Sequence, residues 1–257
     1  MESSKTKVAI VTGASSGIGQ AVARKFAAGG WALALGARRV EAVTALADEL
    51  SQRHGVRARA RMMDLRAPNT INAFVEMTLA EFGGVDAVIN CAGLALGREA
   101  ADKGDVEEWM TMIETDYVGP IRLIRKALPS MREKGSGHII NIGALAALYP
   151  HPGSAVYASS KQALRAFLAC VREDTLGSGV RVTNIDPGIT RTGFAHVRFR
   201  GDTAAVEGLM KGFRPLEPED VAECVWFAAT LPSRVNIDQI TVLPTDQTSP
   251  TRLHKSS

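Results

Sequence analysis

Val8-Ala9-Ile10-Val11-Thr12-Gly13-Ala14-Ser15-Ser16-Gly17-Ile18-Gly19 reads as a strand, a glycine turn and the start of a helix. Lys7 to Val11 is rich in β-branched residues and predicts the strand. Gly17 to Gly29 predicts the helix, with Ala21, Val22, Ala23, Phe26 and Ala27 on its apolar face. Glycines let the backbone turn tightly and approach a pyrophosphate with no Cβ in the way. The N–H groups and the positive end of the helix then face the phosphates. A strand before and a helix after, in the first βα unit, is the context such a site requires. Gly13, Ser15, Ser16, Gly17, Ile18 and Gly19 therefore form a candidate dinucleotide cradle.

Outward from that turn, short apolar runs alternate with amphipathic stretches. Strands are predicted over 31–36, 56–63, 85–90, 137–142, 180–185 and 237–243. Helices are predicted over 40–54, 70–82, 107–131 (despite Gly119-Pro120), 154–176 and 218–229. This alternation means βαβ units, hence an α/β fold: a doubly wound parallel sheet, Rossmann-type, in one domain spanning 1–257. Residues from Thr190 to about 215 are the longest unstructured candidate, a length more typical of a functional lid than of a connection. The tail, about 245–257, is polar: it either wraps a neighbour or stays disordered.

Composition narrows the classes. The chain has 257 residues, 46% of them apolar and 22% charged, an ordinary globular balance. A net charge of +3 with scattered cations lacks the basic stripe of a nucleic-acid binder. Cys91, Cys170 and Cys224 form no CxxC pair and read as buried free thiols in a reducing compartment. The five His show no zinc-binding spacing. The N-terminus has no signal-peptide stretch and no apolar run reaches membrane-spanning length, so the expected location is cytoplasmic.

The spacing Gly-x-x-x-Gly-x-Gly in Thr12 to Gly19 resembles the short-chain dehydrogenase/reductase family. Four further stretches agree with it: Asn90-Cys91-Ala92-Gly93, Tyr157-Ala158-Ser159-Ser160-Lys161, Pro187-Gly188 with Thr192 shortly after, and Asp64-Leu65. The resemblance covers about residues 7 to 245 and implies cofactor contacts from Asn90, Ala92, Gly93, Asp64 and Leu65. It also implies them from Tyr157, Lys161, Pro187, Gly188, Ile189, Thr190 and Thr192.

The choice of dinucleotide follows from the end of the second strand. A site for NAD places an acid about twenty residues beyond the glycines to bond the ribose 2′-OH. Here the chain reads Leu35-Gly36-Ala37-Arg38-Arg39, with no acid and two guanidinium groups matched to phosphate oxygens. NADP(H) is the expected cofactor.

Tyr157 and Lys161 are four apart on a predicted helix and share a face. The resemblance implies that Tyr157 is the acid/base toward the substrate oxygen, its pKa lowered by the Lys161 ammonium, which also holds the nicotinamide ribose. Two positions depart from the family. Ala144 stands thirteen residues before Tyr157, where the family has a Ser that bonds the substrate oxygen. Asp116 stands three residues before Gly119, where the family has an Asn that anchors a water; as an anion it should pair with Lys161. Losing one such donor typically costs on the order of a hundred- to a thousandfold in rate. Ser154, Ser159 and Tyr149 are the nearby replacements for the missing hydroxyl.

Cys91 to Gly97 and His196 to Asp202 resemble the branch containing NADP-dependent 3-hydroxy acid and serine dehydrogenases. That branch implies a small polar substrate, and Arg191, Arg198 or Arg200 could clamp a carboxylate on it. The family also implies a homotetramer built on two long helices, which here carry Trp109, Met110, Ile113, Leu164, Phe167 and Leu168. The reading is an NADP(H)-dependent oxidoreductase interconverting a small polar alcohol or hydroxy acid and its carbonyl. The alternative is an NADP(H)-binding protein whose activity is lost or non-redox.

Overall fold

The computed structural model describes residues 6–256. Seven strands form one parallel sheet: β1 Val8–Thr12, β2 Ala32–Ala37, β3 Ala58–Met62, β4 Ala87–Asn90, β5 Gly137–Ile142, β6 Val180–Pro187 and β7 Gln239–Val242. Their order is β3-β2-β1-β4-β5-β6-β7. The order reverses between β1 and β4, so the chain ends of these two strands open a crevice. Every residue of β1, β2 and β4 is buried, which is why these runs are apolar without alternation. β3 is one of the two edge strands, and Arg59 and Arg61 alternate with Ala58 and Ala60 along it.

Helices cover both faces. α1 (Gly17–Ala28) and α2 (Val40–His54) pack on one face, α3 (Pro68–Phe82) on the other. Phe26, Leu33, Leu35 and Leu50 anchor the first core; Ile10, Phe74, Leu123 and Leu164 anchor the second. The long helix over Gly119-Pro120 is continuous but not uniform: α4 (Val106–Ile113) runs through one π-turn (Glu114–Val118) into α5 (Gly119–Lys134). The wider turn suits Pro120, which has no N–H for a regular helical bond. Gly119 is required because a Cβ there would lie 2.5 Å from the Leu65 Cβ. The helices α6 (Leu145–Leu148) and α7 (Ala155–Asp174) follow β5.

Three expectations are corrected. The segment 190–215 is not unstructured: it folds as α8 (Phe194–Arg198) and α9 (Thr203–Met210) before α10 (Pro218–Thr230). The described tail is ordered too, with a hairpin of β8 (Gln247–Ser249) and β9 (Arg252–Leu253). The three cysteines are free, but Cys170 is exposed and the other two are only half-buried. The apolar residues of the two long helices read equally well as core or as subunit contact; Leu164 and Leu168 are core and Met110 is exposed. Among the described residues no helix is long and apolar enough to cross a membrane, and no cluster of three or more metal-ligating side chains occurs.

Candidate active site

The ends of β1, β4, β5 and β6 open into one cleft of about 1210 Å³. The glycine loop forms its floor at one end. Gly13 adopts φ +64°, the left-handed region that favours glycine. A Cβ on Gly19 would lie 2.5 Å from the Gly13 carbonyl oxygen, so the loop closes on itself only with glycine there. Ser15, Ser16, Gly17 and Ile18 line the same floor. Arg38 and Arg39 stand exposed at the rim, and Arg39 Nη2 donates to the Ser15 hydroxyl at 3.2 Å. A glycine-rich cradle beside two guanidinium groups fits a phosphorylated dinucleotide.

Asp64 and Leu65 wall the cleft after β3, and Ala92 and Gly93 after β4. Pro187, Gly188, Ile189, Thr190 and Thr192 arch over it from β6. A Cβ on Gly17 would touch Thr192 Cγ2 at 3.1 Å, so the two loops nearly meet across the opening. Asn90 differs from its expected place. It is fully buried beneath the cleft, where Thr12 Oγ1 donates to Asn90 Oδ1 at 3.1 Å. The chain continues from Asn90 to Asn141 and from Asn141 to Asn184, each bond 2.8 Å. Thr12 Oγ1 also accepts the N–H groups of Cys91 and Ala92, so this ladder sets the loop that the cofactor would touch.

Tyr157 and Lys161 face the cleft from α7. Lys161 Nζ donates to the Ile142 carbonyl at 3.3 Å and lies 3.5 Å from Asp116 Oδ1. Asp116 sits in the π-turn, fully buried, behind Gly93 rather than in the cleft. Its Oδ1 accepts the Leu94 N–H at 3.0 Å, and its Oδ2 is buried without a partner. Burial lifts this carboxyl to about 6, against the opposing pull of Lys161 and the Leu94 N–H. The expected lowering of Tyr157 is not seen. Burial first, then the Asp116 charge, push its hydroxyl above the ordinary tyrosine value. Cys91 borders the cleft, but burial pushes its thiol up to about 12, so it is no nucleophile at neutral pH.

Ala144 lines the cleft, and its N–H donates to the buried Asp186 Oδ1 at 2.9 Å. None of the expected hydroxyl replacements lines the cleft. Ser154 Oγ is tied to the His151 carbonyl at 2.6 Å, Ser159 Oγ bonds the Val156 carbonyl, and Tyr149 is exposed. His151, Pro152, Phe194, Arg198 and Arg98 are among the other residues that line the cleft.

The three lid arginines separate by their partners. Arg191 pairs with Glu217 at 2.8 Å, and Arg200 pairs with both Glu99 and Glu108. Among the described residues Arg198 makes no ion pair. Its Nη2 donates to the Gly153 carbonyl at 3.2 Å and lies 3.5 Å from His151 Nε2, while its Nε is buried without a partner. Its guanidinium carbon lies 6.0 Å from the centre of the Tyr157 ring. Burial and the Arg198 charge lower the His151 pKa, so its imidazole is neutral at neutral pH. His151 and Arg98 carry no signal in the sequence: α8 brings Arg198 against His151 of the segment before α7, and Phe199, just after α8, lies under the Arg98 guanidinium.

A family model for short chain dehydrogenase matches residues 7–202. The chain belongs to the short chain dehydrogenase family. It is 42% identical over 241 residues to sulfoacetaldehyde reductase 2 of Chromohalobacter salexigens, covering 93% of this chain and 95% of that one. It is 39% identical over 241 residues to the NADP-dependent 3-hydroxy acid dehydrogenase of Escherichia coli, with 93% and 96% coverage. Among solved structures, the closed form of serine dehydrogenase complexed with NADP+ superposes with a TM-score of 0.89 at 37% identity, covering 97% of this chain and all of the other.

Proposed function

We propose that this protein is an NADP(H)-dependent oxidoreductase that reduces a short aldehyde or ketone carrying an anionic group. The observation that carries the substrate class is Arg198: a half-buried guanidinium with no carboxylate partner among the described residues, one N–H unsatisfied, beside Tyr157. A buried cation without an anion is costly, and a substrate sulfonate or carboxylate would complete it. His151 adds a neutral imidazole at the same place. The relatives' substrates, sulfoacetaldehyde and 3-hydroxy acids, are small and polar in the same sense.

NADPH, when bound, would supply the hydride that reduces a carbonyl. The chain's own residues do the rest. The glycine loop and Arg38 with Arg39 would hold its phosphates. Arg198 and His151 fix the anionic end, which leaves the carbonyl facing Tyr157. Tyr157, whose raised pKa keeps it protonated at neutral pH, gives its proton to the carbonyl oxygen. Lys161 holds the ribose and balances the charge of Asp116. Ala144 supplies no hydrogen bond, so the reaction relies on Tyr157 and on orientation by the anion clamp.

The missing hydroxyl favours a second reading, in which the protein binds NADP(H) without ordinary turnover. NADPH oxidation with a panel of short aldehydes and ketones, with and without an acidic group, separates the two. Turnover of the acidic members supports the first reading; none across the panel, with NADPH still bound, supports the second. The tetramer remains a proposal from the family, supported by the exposed Val106 and Met110 on α4, and light scattering tests it.

A further inference from the structure

The polar tail makes contacts that the chemistry above does not use. Gln247 is 4% exposed. Its Oε1 accepts the Ile189 N–H at 2.8 Å, and its Nε2 donates to the Ser249 carbonyl at 3.1 Å. Gly188 packs against this carboxamide and against Pro244 so closely that no side chain would fit. Pro250 and Thr251, at the hairpin turn, line the cleft itself. Further on, Lys255 Nζ donates to the Gly208 carbonyl in the last turn of α9 at 2.6 Å, a favourable place for a cation. The Ser256 N–H donates to the Gly212 carbonyl at 2.7 Å, just beyond that helix. The tail is therefore bonded at one end to the loop after β6 and at the other to the lid.

We infer that residues 247–256 are a strap that completes the cofactor site, with Gln247 as the positioning residue for the loop Pro187–Thr192. Gly188 and Arg191 are bonded to the Val242 and Leu216 carbonyls, but the Ile189 N–H between them is held by the Gln247 side chain, so the tail fixes this one point of the loop. The inference rests on the dinucleotide reading of the cleft. In that reading the loop touches the nicotinamide half of the cofactor, whereas the glycine loop and Arg38 with Arg39 hold the adenosine phosphate half. Gln247 should therefore govern one half and not the other.

The test is equilibrium binding of two probes, NADPH and 2′,5′-ADP, to the full-length protein and its Gln247→Ala and Gln247→Glu variants. Losing a bond to a buried N–H costs about one order of magnitude in affinity. Gln247→Ala should weaken NADPH by about tenfold and leave 2′,5′-ADP unchanged. Gln247→Glu keeps the acceptor for Ile189 and should recover part of the loss. A variant that weakens both probes equally would mark Gln247 as general packing and overturn the inference. So would wild-type affinity for NADPH in Gln247→Ala. A wild-type protein that binds neither probe would overturn the dinucleotide reading and the strap with it.

Discussion

Asp116 Oδ1 lies 3.5 Å from Lys161 Nζ, and both side chains are shut away from solvent. The pair places a negative charge behind the Tyr157–Lys161 face. A Cβ on Gly93 would meet both partners, at 2.7 Å from Asp116 Oδ1 and 2.8 Å from Lys161 Nζ, so the pair is built against bare backbone.

Its first consequence is a pH-dependent stability. The Asp116 carboxyl is raised from 3.8 to about 6, so folding disfavours its ionised form. That penalty is absent below the ordinary value and grows as pH rises from 3.8 to about 6. Asp116→Asn removes it. The melting temperature of the variant minus that of the wild type should increase over this window. A difference that stays flat with pH would contradict the assignment.

The second consequence concerns the proton. Asp116 is one cause of the elevated Tyr157 value, with Asp186 acting in the same direction and Arg198 against. The same Asp116→Asn variant should move the alkaline break in carbonyl reduction to lower pH. The pH profile of kcat/KM checks this, and an unmoved break would show that Asp116 does not reach Tyr157.

Ala144 gives the third prediction. Its methyl borders the cleft and its N–H is already taken by Asp186. Ala144→Ser should raise kcat for carbonyl reduction by at least about tenfold, a fraction of what one such donor typically contributes. NADPH affinity should not change. A slower variant would mean that the site is arranged around the methyl.

Arg38 and Arg39 give the fourth. Replacing both with Ala should weaken NADPH on the order of a hundredfold, from the loss of charge-assisted bonds to the 2′-phosphate, and leave NADH nearly unchanged. Affinities measured for both cofactors decide it; equal losses would place the arginines elsewhere in binding.

The framework was legible because it rests on local rules. Val8 to Gly19 encodes strand, turn and helix within twelve residues, and the parallel sheet follows from repeating that unit. The glycine loop, Tyr157, Lys161, Pro187 to Thr190 and Thr192 line one cleft. What could not be read depends on distant contacts. His151 and Arg198 are 47 residues apart, and α8 has only five residues, too few to show a periodicity. The π-turn was hidden because Gly119-Pro120 carries the same local signal as a break. The tail read as disordered or wrapped on a neighbour because its polar residues find partners in the lid and the β6 loop, far away in sequence.

The central claim is that a half-buried Arg198 selects an anionic carbonyl substrate. The most direct measurement is kcat/KM with NADPH for two aldehydes of equal length, one ending in a sulfonate or carboxylate and one in a methyl, in the wild type and in Arg198→Gln. The wild type should prefer the anionic aldehyde by on the order of a hundredfold, and Arg198→Gln should abolish the preference through KM, with the neutral aldehyde unaffected. Equal kcat/KM for both aldehydes in the wild type, or a preference that survives in Arg198→Gln, would contradict it.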